Sequence, residues 1–302
     1  MIDQRRSTTI VLFVICMSWL EPTTSSATSI YETGFEAPIF TVGNLVAQDG
    51  WATDGGGTNG TVQSALVNSG NQAVQIDGNG LMNSTWWFRD VSYTIPVATM
   101  PIIQIDWAMN VQTGSVQSSW GIDVYVEDEF PVFLKRASAM YVDDLNNIQV
   151  WDGTENAGAG GFTDSNFDAT RNAWHTYRID LNYATETADF YYDGVLIAND
   201  LAITLSPFNV LLDADLYNFK LGGGANDSAY FDDYRIQSLS DSVCAAADAD
   251  CSGNTNISDI ASFVNILMGN ATPCSACAGD MNNDGNVDGR DVQAFVNALL
   301  TP

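Results

Sequence analysis

The chain has 302 residues, 46% of them hydrophobic, enough to bury the core of one large domain or two smaller ones and enough to exclude wholesale disorder. Ten Lys and Arg stand against 37 Asp and Glu, a formal charge of -27, which excludes nucleic acid and anionic lipid as partners and favours cations, calcium above all. The single histidine, His175, excludes His-rich zinc sites.

Residues 1–27 read as an export signal that cleavage removes. Arg5 and Arg6 supply the positive start, and Ile10 to Leu20 supply an apolar stretch too short for a comfortable membrane span. Ser25-Ser26-Ala27 supplies small residues for cleavage. Cys16 is preceded by Phe13-Val14-Ile15, which lacks the small residues that lipidation needs, and it leaves with the signal. The expectation is a protein without membrane insertion, secreted to the extracellular space or the cell surface, where disulfides survive.

Residues 28–240 carry the grammar of β-structure. Short alternating runs recur between Gly, Asn and Asp clusters, as in Ala73-Val-Gln-Ile76, Ile102-Ile-Gln-Ile-Asp-Trp107, Ile122-Asp-Val-Tyr-Val126 and Tyr177-Arg-Ile-Asp-Leu181. Trp86-Trp87 are strand neighbours, so one of them faces away from the core. The other tryptophans of the region (Trp51, Trp107, Trp120, Trp151 and Trp174) read mainly as core, although an exposed ring stacks well on a sugar. Asp123, Tyr125 and Glu127 share one strand face, read as a polar outer face, and Glu127-Asp128-Glu129 reads as a solvated turn. His175 has no acid or base partner in the sequence and reads as structural. Asp193-Gly194, between two apolar-rich runs, is the clearest hairpin signal, because both turn residues accept positive φ. No amphipathic helix of useful length interrupts this region, so a two-sheet antiparallel sandwich is expected.

Three segments carry a loose resemblance. They are Tyr31-Glu-Thr-Gly-Phe-Glu36, then Trp174-His175-Thr-Tyr177 through Leu196, and Tyr230-Phe-Asp232-Asp233-Tyr-Arg-Ile236. They resemble the concanavalin A-like jelly roll of laminin-G-like lectin modules. That resemblance implies two curved sheets, adjacent first and last strands, and binding more often than catalysis. The same fold hosts laminarinase-type glycosidases with the motif Glu-x-Asp-x-(x)-Glu. Here Gly121 stands in the nucleophile position and Glu127 falls one residue beyond the motif, so the reading leans away from an enzyme. Glu36, Asp232 and Asp233 are candidates for a structural calcium site where the terminal strands meet.

After a polar junction near residues 238–243, the grammar changes over residues 244–302. Two acidic loops, each leading into an apolar helical stretch, repeat 32 positions apart: Asp248 maps to Asp280, Gly253 to Gly285 and Asp259 to Asp291. Ile260, Phe263, Val264 and Leu267 map to Val292, Phe295, Val296 and Leu299. In the second loop Asp280, Asn282, Asp284, Asn286, Asp288 and Asp291 hold the oxygen-ligand positions of an EF-hand loop, with Gly285 at the sharp turn. In the first, Asp248, Asp250, Ser252, Asn254, Asn256 and Asp259 do the same with one carboxylate fewer, so two calcium ions are expected and the first is held more weakly.

A calcium loop followed by a single exit helix, in tandem at the end of an exported chain, resembles a type I dockerin. The resemblance covers about 55 residues. It implies calcium-dependent folding and docking to a cohesin-type module, with Ile257, Ser258, Gly289 and Arg290 at the partner-contacting loop positions. Cys244, Cys251, Cys274 and Cys277 surround the loops. Two disulfides of open connectivity are the main reading, and a four-thiolate zinc site is the alternative. The whole reads as a mainly β chain, a jelly-roll sandwich followed by a small α-helical dockerin-like calcium module. The sandwich is expected to bind a polysaccharide, a cell-surface glycan or another surface partner, while the module tethers the protein. The alternatives are a glycoside hydrolase carrying a dockerin and a purely structural cell-surface protein.

Overall fold

The structure is a computed structural model. It describes residues 27–54, 60–77, 84–112, 118–129, 134–220, 228–239, 247–249, 255–269, 279–281 and 287–300. In chain order the elements are β1 (Ala27–Thr33), β2 (Gly43–Asn44), β3 (Ala52–Asp54), β4 (Gly60–Gln63), β5 (Ala73–Asp77), β6 (Thr85–Phe88), β7 (Tyr93–Thr94), β8 (Ile102–Val111), β9 (Ser118–Glu127) and β10 (Leu134–Val142). There follow β11 (Asn147–Asp152), α1 (Glu155–Gly158), β12 (Gly161–Asp168), β13 (His175–Asn182), β14 (Thr187–Tyr192), β15 (Val195–Ala202), β16 (Val210–Lys220), β17 (Ser228–Leu239), α2 (Asp259–Leu267) and α3 (Val292–Leu300). No described helix is long and apolar enough to cross a membrane.

The strands form two antiparallel sheets. One runs β15-β14-β13-β8-β17-β5-β4-β2, with β1 also on β17; the other runs β12-β11-β10-β9-β16-β6-β3, with β7 also on β16. Strand alternation explains the layering. Ile103, Ile105 and Trp107 of β8 and Ile179 and Leu181 of β13 point inward from the first sheet, and Ile122, Val124, Val126 and Leu216 point inward from the second. Each such side chain contributes about 1.5–3 kcal/mol of burial. The hairpin at Asp193-Gly194 joins β14 to β15 with φ of 48° and 76°, as two residues accepting positive φ require. Pairing of β1 with β17 places the first and last strands side by side.

Each sheet has a strand whose edge changes partner midway. On one side of β17, β5 covers residues 228–231 and β1 takes over at Tyr234, with a bulge at Asp232-Asp233. On one side of β16, β7 covers Val210 and Leu211 and β6 takes over at Leu216. The loop between them turns back on β16 through Val91 and Ser92 N–H groups, both donating to Leu212 O. These two handovers collect the acidic residues discussed below.

In the C-terminal segment Phe263 of α2 and Phe295 of α3 stack at 3.8 Å and 3°. They are equivalent positions of the 32-residue repeat, so the repeat is realised as a face-to-face pair. Ala247, Ala249 and Ile266 complete a small cluster separate from the sandwich core.

Candidate functional site

The outer face of the eight-stranded sheet concentrates the chemistry. Alternation on β9 puts Gly121, Asp123 and Tyr125 on this face, opposite Tyr217, Asp215 and Asp213 of β16. On the other side of β9, Tyr141 stands opposite Gly121, Ala139 opposite Asp123 and Arg136 opposite Tyr125. Asp123 is fully buried. Its Oδ2 accepts from Trp86 Nε1 at 2.9 Å, Arg136 Nη2 at 2.8 Å and Tyr125 OH at 3.2 Å, and its Oδ1 accepts from Tyr141 OH. Four donors on one carboxylate offset the cost of burying it. Removing one partner of such a pair typically costs about 3–5 kcal/mol.

The arrangement fixes what these groups can do. Asp123 has no free oxygen with which to attack a substrate. Burial raises the pKa values of Tyr125 and Tyr141 well above the ordinary tyrosine range, and the Asp123 charge raises them further. Burial likewise pushes Tyr217 up to about 12. These hydroxyls therefore donate hydrogen bonds and do not act as bases near neutral pH. Burial works against the Arg136 charge, but Asp123 outweighs it and holds the guanidinium protonated.

Gly121 explains the aromatic surface. Tyr217 and Tyr141 flank it on the two neighbouring strands, and with no side chain between them their rings meet at 4.7 Å, stacked at 24°. The contact continues from Tyr217 to Trp86 at 5.4 Å, from Tyr141 to Phe162 at 4.5 Å, and from Phe162 to Trp151 at 5.2 Å. Five rings thus cross the sheet as one strip, each contact adding about 0.5–1.5 kcal/mol beyond burial. The Arg136 guanidinium lies 5.0 Å from the Trp151 ring centroid. A Cβ at Gly121 would stand 1.9 Å from Met140 O and 2.9 Å from Tyr141 Cα, both backbone atoms. Gly121→Ala is therefore expected to displace β10 and cost about 2–3 kcal/mol or more, read by denaturant unfolding. A change within a few tenths of a kcal/mol would contradict the contact.

Position 121 of β9, where the laminarinase-type motif places its nucleophile, is sterically closed. A carboxylate cannot stand at position 121 without moving the next strand.

Asp213 and Asp215 were not singled out in the sequence. Both are 5% exposed. The Oδ1 atom of each is buried and receives no hydrogen bond from any other described residue, while the two carboxyls hydrogen-bond to each other when one is protonated. Burial pushes Asp213 up to about 7, with Asp90 and Asp123 adding to the effect. Burial and the Asp213 charge push Asp215 well above the carboxylate range. The pair lies along a single strand, two residues apart. The signal available was the period-two pattern Asp213-x-Asp215-x-Tyr217 inside an otherwise apolar strand.

Trp86 is half-buried on this face while Trp87 is fully buried, as strand alternation predicts for adjacent residues. Trp51, Trp107 and Trp120 are core residues. Trp151 is buried too, but within the outer-face cluster. The expectation that His175 lacks an acidic partner is corrected: its Nδ1 lies 2.7 Å from Asp193 Oδ2, a hairpin-turn residue brought back across β13.

Glu36, Asp232 and Asp233 do meet, around Gly34 at the β17 handover. Their oxygens accept from the 68–72 loop: Asp232 Oδ2 from Asn68 and Ser69 N–H, and Glu36 Oε1 from Asn71 and Gln72 N–H. Among the described residues no group of three or more His, Cys, Asp or Glu is placed to hold a metal ion.

In the two acidic loops Asp250, Ser252, Asn254, Asn282, Asp284 and Asn286 lie outside the described residues, as do the four cysteines and the export signal up to residue 26. The described remainder is consistent between repeats. Asp248, Asp259 and Asp291 are fully buried. Asn256 N–H donates to Asp259 Oδ2 at 2.7 Å, and Asp288 N–H to Asp291 Oδ2 at 2.8 Å. Ile257 is 83% exposed, and the Arg290 side chain is 74% exposed with Nη1 3.5 Å from Asp288 Oδ2. No described residue stands within 4 Å of a Cβ at Gly289, and Ser258 holds the N-cap position of α2 without a side-chain cap hydrogen bond.

A cavity of about 760 Å³ opens on the other sheet, beside Arg178 and Arg235. Their guanidiniums are already engaged with Asp180 and Asp106.

No protein-family model matches the sequence, and no curated protein matches it. Among solved structures, a conserved carbohydrate esterase from Shiga toxin-encoding bacteriophage phi24B superposes with a TM-score of 0.50 and 16% identity, over 71% of this chain and 100% of that one. An endo-1,3-beta-glucanase from Streptomyces sioyaensis gives 0.49 and 12%, over 73% and 99%. An endo-beta-1,4-glucuronan lyase from Trichoderma reesei gives 0.46 and 12%, over 69% and 95%. At these identities the likeness concerns the fold alone: the chain shares a two-sheet β-sandwich with the phage protein.

Proposed function

We propose that this chain is an exported glycan-binding protein whose sandwich grips a saccharide on the outer face of the eight-stranded sheet. The observation that carries the reading is the pair of accessible rings at either side of the aromatic strip, half-buried Trp86 and exposed Phe162, with buried Tyr217 and Tyr141 linking them beside the Asp123–Arg136 pair. Aromatic rings offer flat apolar faces to sugar rings, and the polar groups around them fix orientation. The phage protein of the same fold is described as a carbohydrate esterase, which is in keeping with a saccharide ligand. Titration calorimetry against soluble polysaccharides is expected to find at least one ligand. Trp86→Ala is expected to weaken that binding about tenfold, and Trp86→Phe, which keeps a ring, less. Binding unaffected by Trp86→Ala would remove this face from consideration. Release of reducing sugar from the same ligands would favour the degradative alternative.

The C-terminal segment, in this reading, is a dockerin-like module that holds two calcium ions and docks to a cohesin-type partner. The donor set fits hard cations: carboxylate and amide oxygens on a loop spacing that wraps one point, with fully buried aspartates at matching positions of both repeats. In both repeats the final loop aspartate also ties down the backbone of the ninth position. Docking is supported by apolar side chains left on the helix surfaces. Ile260 and Val264 are exposed on α2, with Ile257 and Met268 exposed just before and just after it, and Val292, Val296 and Leu300 on α3. Arg290 is the one basic residue in the sequence of this segment, against seven aspartates. Arg290→Glu is therefore expected to weaken retention by an acidic cohesin-type partner more than Ser258→Asp does, in pull-downs run in calcium. Failure to retain any such partner would end the tethering reading.

A further inference from the structure

We propose that Asp213 and Asp215 make the outer face of the eight-stranded sheet selective for uncharged polysaccharides and against uronate-bearing ones. This rests on the reading of that face as a glycan site. The two side chains sit two residues apart on β16, on the face that also carries Tyr217 and its aromatic strip. Asp215 is the cross-strand partner of Asp123, and Asp213 that of Tyr125. Carboxylates directly opposite one another repel. Asp90 joins them from the loop that leaves β16 uncovered between β6 and β7. Around the pair stand Asp90, Asp123, Tyr125, Arg136 and Tyr141, with Tyr234 reaching from β17 through the core to Ala214 O.

Arg136 gives Nη2 to Asp123 at 2.8 Å, so its charge is offset by that carboxylate within the face, while its Nε has no hydrogen-bond partner among the described residues. A bound uronate carboxylate would therefore meet three further carboxyl groups, at Asp90, Asp213 and Asp215. Repulsion between like charges acts beyond contact distance where neighbouring side chains exclude water. A neutral sugar carries no such penalty. Its hydroxyls donate as well as accept, and the face contains buried acceptor atoms that receive no hydrogen bond from other described residues, Oδ1 of Asp213 and of Asp215.

Two buried carboxyls this close cannot both ionise readily, and burial pushes Asp213 up to about 7. Discrimination is therefore expected to grow with pH. In mildly acidic solution the pair retains protons and repels little, while a uronate stays ionised. In mildly alkaline solution Asp213, pushed up to about 7 by burial, is charged.

The test is calorimetry on the full chain with neutral xylo- and cello-oligosaccharides and matched uronate-bearing oligosaccharides. At about pH 5.5 and about pH 8.5 the neutral sugars are expected to bind similarly, while uronates lose roughly tenfold at the higher pH. The double variant Asp213→Asn, Asp215→Asn is expected to abolish that loss. Uronates that bind the wild type at the higher pH as tightly as neutral sugars overturn the selectivity and leave the glycan reading standing. So does a folded double variant with an unchanged preference. Absence of binding by any oligosaccharide, neutral or acidic, overturns the glycan reading itself and the selectivity with it. The wild-type pH comparison stands without the variant.

Discussion

Replacing Asp213 with asparagine is expected to stabilise the sandwich at pH 8.5, by on the order of 3–4 kcal/mol if the full shift is relieved. The sign follows from the direction of the shift. The folded-state pKa is raised from 3.8 to about 7, chiefly by burial. Between these values the native chain keeps a proton that the unfolded chain gives up. Stability is therefore fully present below about pH 4 and is lost as pH rises through about 7. Asp180, pushed up to about 6 mainly by burial, works in the same direction. A salt-bridged aspartate behaves in the opposite way. Denaturant unfolding of the wild type at about pH 5 and about pH 8.5 should show a loss, and Asp213→Asn should reduce it. A wild type that gains stability across that interval, with a variant no better, would show that neighbouring groups compensate the pair fully.

The sandwich was legible because its evidence is local. Alternation in Ile102–Trp107 and Tyr177–Leu181 named the inward side chains, and Asp193-Gly194 named a turn whose two φ values are both positive. The Trp86-Trp87 doublet indicated an outward ring without saying which, since register decides that and register depends on β16, about 130 residues away. The site was less legible for the same reason. Asp123 stood out, but its donors come from β6, β9 and β10, and no local pattern joins Trp86 or Tyr141 to it. Gly121 reads in sequence as a missing nucleophile. In the fold it is the gap across which two tyrosines stack. Asp213 and Asp215 were hidden by abundance, two acidic residues among 37. Their neighbours, Tyr125 and Asp123 across on β9 and the loop between β6 and β7, are set by pairing that period-two reading does not reveal. His175 shows the same limit, since Asp193 reaches it only once the hairpin folds back.

Removal of calcium is expected to unfold the C-terminal segment and leave the sandwich intact. The apolar cluster there is small: Phe263, Phe295, Ile266, Ala247 and Ala249 are its buried members among the described residues. Cores of that size do not hold a fold unaided, and small modules lean on metals or disulfides. Asp248, Asp259 and Asp291 are nonetheless fully buried. Seven aspartates against one arginine in residues 244–302 repel one another when no cation is bound. A divalent ion at each loop offsets both costs, so binding free energy becomes folding free energy. Hydrogen exchange read by mass spectrometry on the full chain separates the two parts. Chelator should abolish protection across Asp259–Leu267 and Val292–Leu300 while β8, β13 and β17 stay protected, and added calcium should restore it. Because the second loop carries the extra carboxylate, Asp291→Ala should cost more total calcium affinity than Asp259→Ala. Protection in both helices that survives excess chelator would mean that the aromatic stack and the cysteines hold the segment without metal, and the calcium reading would fall.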